Sequence, residues 1–227
     1  MLTMDSVSLK YGDLTVLDDI SFQVAQNEIV AIIGPSGCGK TSLLNIIAGL
    51  QSPTQGTVQV TGNKTAFIFQ DDRILPWRTV WENIALVSDT TSPDTIKGLI
   101  QDVGLKGFEH YYPDTLSGGM KKRCGIARAF YYNSELLLMD EPFQGLDYML
   151  RREMLEMVLQ VWEKHRQGIL FVTHEIDEAL QIANRILVLS KRPTHILSEI
   201  QLPPYAEREL QATTMSAIRQ EIIQLLR

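Results

Sequence analysis

The chain has 227 residues, 44% of them hydrophobic, with a formal net charge of -6. Those values predict one domain, or one with an inserted subdomain, around an ordinary core, and they argue against a nucleic-acid surface, which needs clustered excess Lys and Arg. Two cysteines, Cys38 and Cys124, make neither a disulfide framework nor a metal site and fit a reducing cytosol; the start has no signal-peptide pattern, and no apolar run approaches the ~20 residues that cross a bilayer.

From Leu2 to Val24 apolar and polar residues alternate, as in Ile20-Ser21-Phe22-Gln23-Val24. This predicts antiparallel strands with one exposed face. Four short runs that are apolar throughout then read as buried parallel strands, each ending on glycine or a polar residue. Ile29–Ile33 leads into Gly34, 65–69 into Gln70, 136–139 into Asp140 and Glu141, and 169–173 into His174. Helical patterns follow at 40–48, 122–132, 150–165 and 176–183. Residues 71–132 contain Pro76, Pro93 and Pro113 and read as a mostly helical subdomain. After Leu189 the chain turns at Arg192-Pro193 and Pro203-Pro204. Within 203–227, Ile218, Ile222, Leu225 and Leu226 share one face of a final helix, which packs on its own domain or serves as a docking surface. The expected fold is α/β: a mostly parallel sheet, an N-terminal antiparallel β subdomain and an inserted helical subdomain. In such sheets ligands bind at the carboxyl ends of the strands, where the polar residues named above all lie.

Gly34, Pro35, Ser36, Gly37, Cys38, Gly39, Lys40 and Thr41 satisfy G-x-x-x-x-G-K-[ST] at every fixed position, and Ser42 follows inside the helix. The motif sits between an apolar strand and a helix. Glycines let backbone N–H groups converge on phosphate oxygens, and the helix N-terminus favours an anion. Lys40 supplies a positive charge for the terminal phosphates, and Thr41 offers a hydroxyl to Mg²⁺. Cys38 lies inside the loop, so its alkylation is expected to block nucleotide.

Asp140 and Glu141 end a strand, whose successive side chains point to opposite sides. Asp140 is therefore assigned to the metal, through water, and Glu141 to orienting or deprotonating the attacking water. His174 is expected to hydrogen-bond the γ-phosphate and sense its presence. Gln70 is expected to touch Mg²⁺ or the water and to report nucleotide state to the helical subdomain. Ser117 reads as an N-cap, with Lys121, Lys122 and Arg123 in the turn that follows. That charge opposes the helix dipole, so either an anion binds there or a solvated basic face tolerates the repulsion.

The phosphate loop, Gln70, residues 116–120 and 136–142, Gly145-Leu146-Asp147 and His174 occur in the order seen in ATP-binding-cassette ATPases, which the chain resembles over essentially its whole length. The resemblance implies ATP and Mg²⁺ as cofactors. It also implies a head-to-tail dimer, in which each ATP lies between one subunit's phosphate loop and the other's Ser117, Gly118 and Gly119. Tyr11 stands where the family stacks an aromatic ring on adenine, and Asp147 would cross the dimer interface. Met120 stands where many members have Gln, and Gln144-Gly145 where Ser-Ala is common.

The stretch 69–84, with Leu75-Pro76-Trp77-Arg78, resembles nitrate/sulfonate/taurine-type importer ATPases, as does 186–193. That branch implies transmembrane permease subunits, an external solute-binding protein and a place on the cytoplasmic face of the membrane. Trp77 and Trp81 either line the groove for the permease or fill the helical subdomain's core. The alternatives are a lipid-trafficking or efflux ATPase and a soluble ATPase of the same superfamily.

Overall fold

The computed structural model describes residues 2–62, 64–88, 90, 92–208 and 213–227. β1 (Leu2–Tyr11) and β2 (Leu14–Val24) pair antiparallel, as the alternation predicts. β3 (Ile29–Ile33) starts a second sheet, and α1 (Lys40–Ile47) follows it. β4 (Gln55–Val60) returns to the first sheet, whose order is β2-β1-β4. The second sheet gains β5 (Thr65–Ile68), β6 (Leu136–Asp140), β7 (Gly168–Thr173), β8 (Arg185–Leu189) and β9 (Ile196–Gln201), in the order β5-β6-β7-β3-β8-β9. Its strands are parallel except where β9 runs back against β8.

The two faces of this sheet explain why its strands are apolar throughout. Val30, Ile32, Leu136, Leu138, Leu170 and Val172 pack with Leu43 and Leu44 of α1 and with Leu2, Val7 and Leu17 of the first sheet. Their neighbours Ile29, Ala31, Ile33, Leu137, Met139, Ile169 and Phe171 form the opposite core, with α4 (Gly118–Tyr131), α5 (Tyr148–His165) and α6 (Ile176–Ile182). Each Val, Leu, Ile, Met or Phe side chain among them contributes about 1.5–3 kcal/mol on burial. The pattern leaves polar chemistry to the strand ends.

Between β5 and β6 lie α2 (Val80–Ala85), α3 (Pro93–Asp102) and α4. A capping box of Thr79 and Glu82 starts α2. Buried Asn83 fixes the segment before it, accepting from Leu75 N and donating to the Leu75, Arg78 and Thr79 carbonyls. The last helix, α7 (Thr213–Leu225), buries Met215 and Ile222 and packs on α6 and β9. Its apolar face thus covers its own domain; residues 209–212 of the expected C-terminal segment lie outside the described residues.

Three elements differ from expectation. β4 reads Gln-Gly-Thr-Val-Gln-Val, too polar to signal a strand; it is an edge strand held by β1. α4 begins at Gly118 rather than at 122, because Ser117 caps it by accepting from Met120 N. β5 stops at Ile68, so Gln70 lies two residues past the strand.

Candidate nucleotide site

The chain leaves β3 through residues 34–39 and enters α1 at Lys40. Gly39, the N-cap, has φ 116°, and a Cβ there would lie 2.8 Å from Val16 Cγ1, so glycine is required. Lys40 is buried, its Nζ donating to the Gly34 carbonyl at 2.8 Å and the Pro35 carbonyl at 3.1 Å. The ammonium is thereby fixed inside the loop it serves. A cavity of about 320 Å³ runs from Tyr11 over Ser36, Gly37 and residues 39–42 to Glu141 and Arg192.

Asp140 ends β6 on the α1 side, sharing the parity of Leu136 and Leu138. Burial pushes its carboxyl above the usual carboxylate range. A hydrogen bond with Thr41 and the charge of Lys40 oppose that rise, and the neighbouring Glu141 adds to it.

The sequence predicts that strand alternation orients Glu141, and the structure differs. The strand ends at Asp140, and Glu141 has φ 45°, with its N–H on the Val172 carbonyl at 3.1 Å. A left-handed turn therefore aims its carboxylate. That carboxylate meets His174, with Nδ1 to Oε2 at 3.2 Å. The two residues expected to act on water and γ-phosphate thus touch each other. Gln70 donates to the Gln144 side chain, linking the end of β5 to the loop after Glu141.

The remaining expected residues are placed as follows. Tyr11 is exposed at the cavity rim and accepts from Gln51 Nε2 at 2.7 Å. Asp147 caps α5, accepting from Met149 N and Leu150 N, both at 3.0 Å. Gly118 faces open space, whereas a Cβ on Gly119 would lie 2.9 Å from Leu150 Cδ2. Two of the three cations at the start of α4 meet carboxylates, Lys122 with Asp72 at 3.4 Å and Arg123 with Glu153 at 3.5 Å. These pairs relieve part of the conflict with the helix dipole.

At Cys38 the residue is 2% exposed and its thiol belongs to the core with Val16 and Leu17, so its backbone rather than its side chain is available to a ligand. The two tryptophans part company. Trp81 packs against the core and lines a cavity with Lys97, Glu109 and His110, whereas Trp77 is 68% exposed. A separate groove of about 190 Å³ lies beside edge strand β5, where Arg73 stacks 3.4 Å over Phe69 and Phe69 stacks on Phe67.

Sequence reasoning missed Arg151, Glu178 and a role for Arg192. Arg151 pairs with Glu175 at 3.0 Å and Glu178 at 3.5 Å, and donates to the Leu146 carbonyl at 3.2 Å. Buried Glu178 accepts from Thr173 Oγ1 at 2.6 Å. This network braces the segments that carry Asp147 and His174. The only sequence signal is helical spacing: Arg151 lies four residues past Asp147, and Glu178 four past His174.

A family model described as ABC transporter matches residues 17–144. The aliphatic sulfonates import ATP-binding protein SsuB of Bacillus cereus is 40% identical, with 96% of this chain and 90% of that protein covered. SsuB 2 of Pseudomonas syringae pv. tomato is also 40% identical, covering 92% and 90%. The chain belongs to the ABC transporter ATPases. Among solved structures, the dimeric bacterial ABC transporter cassette MJ0796 superposes with a TM-score of 0.77 at 27% identity, covering 89% of this chain and 99% of that one. The same cassette in a post-hydrolysis state bound to ADP and Pi gives 0.76.

As an ABC ATPase, the chain uses ATP with Mg²⁺. The residues present fit that pair. The glycine cradle and the buried Lys40 suit a polyphosphate. Among the described residues no three His, Cys, Asp or Glu side chains converge as a metal cage. Mg²⁺ bound with nucleotide needs none, because phosphates and waters supply most of its ligands.

Proposed function

We propose that this chain is the ATP-hydrolysing subunit of an importer for small sulfonate-type organic anions, working as a dimer beneath two permease subunits on the cytoplasmic face of the membrane. An external solute-binding protein delivers the substrate. The observation that carries the site assignment is one cavity lined by Lys40, Thr41 and Glu141, with Asp140 beside Thr41 and His174 in contact with Glu141. The 40% identity to sulfonate import ATPases supports the substrate class.

In this reading the N–H groups of residues 36–42 and the Lys40 ammonium hold the phosphates, while Tyr11 stacks on adenine. Thr41, Asp140 and Gln70 would hold Mg²⁺, which would neutralise charge on the phosphates. Glu141 orients the attacking water and takes its proton. His174, already on Glu141, hydrogen-bonds the γ-phosphate and stabilises the charge that develops there. Ser117, Gly118 and Gly119 of the second subunit close over the nucleotide, and Asp147 crosses between subunits. The groove beside β5, with Phe67, Phe69 and Arg73, receives a cytoplasmic segment of the permease.

Glu141→Gln tests the reading. It keeps the size of the side chain and its contact with His174 but removes the base. Turnover should fall about 10²–10⁴-fold while ATP binding persists, and gel filtration with saturating ATP·Mg²⁺ should show a trapped dimer. A variant that stays monomeric under those conditions rejects the two-subunit site.

A further inference from the structure

The connection between β8 and β9 is fastened to the phosphate loop at two consecutive carbonyls. Arg192 donates through Nε to the Gly37 carbonyl, and Thr194 donates through Oγ1 to the Cys38 carbonyl. Thr194 is fully buried and also tied to β2, its N–H on the Val16 carbonyl at 3.0 Å and its carbonyl taken by Asp18 N at 2.9 Å. In a trans peptide the C=O and N–H point opposite ways. Holding the Cys38 carbonyl outward therefore turns the Gly39 N–H inward.

Arg192 differs from Thr194 in what it leaves over. A guanidinium carries five N–H donors in a planar fork, and Gly37 takes only the Nε one. The side chain lines the same cavity as Lys40 and Tyr11, where Glu141 is the single lining carboxylate. Among the described residues no ion pair engages Arg192. A cation without a carboxylate, steered by a backbone carbonyl into a cavity that holds a second cation, matches a polyanionic ligand.

We propose that Arg192 is a nucleotide-binding residue. Its terminal nitrogens donate to the polyphosphate of ATP and ADP while Nε stays on Gly37. Lys40 acts from within the loop as a buried point charge. Arg192 acts from outside it, as a planar donor that closes the cavity's open side. This inference rests on reading residues 34–42 as the phosphate site.

Calorimetric titration of the full chain with ATP·Mg²⁺ and with ADP tests it, using Arg192→Gln, Arg192→Lys, Thr194→Val and Lys40→Ala. Gln places its amide nitrogen as many bonds from the backbone as Arg Nε, so it can keep the Gly37 contact without the charge. Arg192→Gln should weaken both nucleotides about tenfold and flatten the salt dependence of binding. Arg192→Lys should recover part of the loss. Unchanged affinity in Arg192→Gln, with Lys40→Ala losing nucleotide, overturns the proposal and leaves the phosphate site standing. Unchanged affinity in Lys40→Ala overturns the phosphate-site reading itself. A loss in Arg192→Gln that Lys does not relieve, with the salt dependence unaltered and Thr194→Val equally impaired, shows a loop brace only and also overturns it.

Discussion

The starts of α1 and α4 are built to different degrees of completion. At α1 the chain supplies everything around the loop: Lys40 is bonded to two carbonyls, Asp140 is joined to Thr41, and Glu141 rests on His174. At α4 only the backbone is finished. Ser117 caps the helix and Gly119 fits against Leu150, but Gly118 looks into open space, and Lys122 and Arg123 are turned to internal carboxylates. In the proposed reading the start of α1 is a site and the start of α4 is a surface that completes a site in a second subunit, which suits a chain whose structural relative is a dimer.

The sharpest way to break this contrast is Gly118→Asp. The position has room, so the fold should survive. Its charge would face the polyphosphate of the other subunit. Nucleotide affinity of the monomer should be unaltered, while ATP-driven dimerisation disappears and turnover falls about 100-fold, the cost of losing alignment at a reacting centre. ATPase assays alongside gel filtration check it. A variant that loses monomer affinity instead would place Gly118 in its own subunit's site and dissolve the contrast.

Asp140→Asn probes the complete half-site and should act with opposite signs on stability and activity. Burial raises the Asp140 carboxyl in the fold, so the folded chain holds that proton more readily than the unfolded chain. Stability from this group is therefore lost as pH rises from the ordinary value of 3.8 through the raised one, and the ionised carboxylate is a burden at neutral pH. Without nucleotide, Asp140→Asn should melt about 2–4 °C higher at pH 7, with the gain vanishing below pH 3.8. ATP turnover should fall about tenfold or more as support for Mg²⁺ is lost. In the unsubstituted chain, kcat/KM, which reports the nucleotide-free protein, should decline on acidification from above the usual carboxylate range. A lower melting point in Asp140→Asn would show that the Thr41 contact outweighs the desolvation.

The residues that could be read in advance are those governed by a repeat. Strands buried on both faces write themselves as uninterrupted apolar runs, so β3, β6 and β7 and the polar residues ending them were legible. Parity also carried Asp140 to the α1 side with Leu136 and Leu138. Parity failed one residue later, because Glu141 is set by a positive φ that belongs to the turn. It could not find β4, whose Gln55, Thr57 and Gln59 are exposed on an edge. Nor could it assign Arg192, whose partner is a backbone carbonyl 155 residues away. A carbonyl has no letter in a sequence.

Cys38 carries the smallest expected effect and the clearest lesson about loops. A loop has no period, so position inside the phosphate-binding motif does not say which way a side chain points. The thiol points inward: a Cβ on Gly34 would lie 3.0 Å from Sγ, and the sulfur joins the core with Val16 and Leu17. Burial pushes its pKa up against the charge of Lys40, so the reactive thiolate is scarce as well as shielded. Cys124, pushed up to about 12 by burial, is no more available. Ellman's reagent should therefore react at both thiols at least about 100-fold slower in the folded chain than in urea, since modification must wait for opening. ATP affinity after brief native exposure to iodoacetamide should be unchanged. If Cys38 instead reacts at the unfolded rate and nucleotide binding is lost with it, the loop opens readily on its own. Its anchoring by Arg192 and Thr194 would then hold only when phosphate is present.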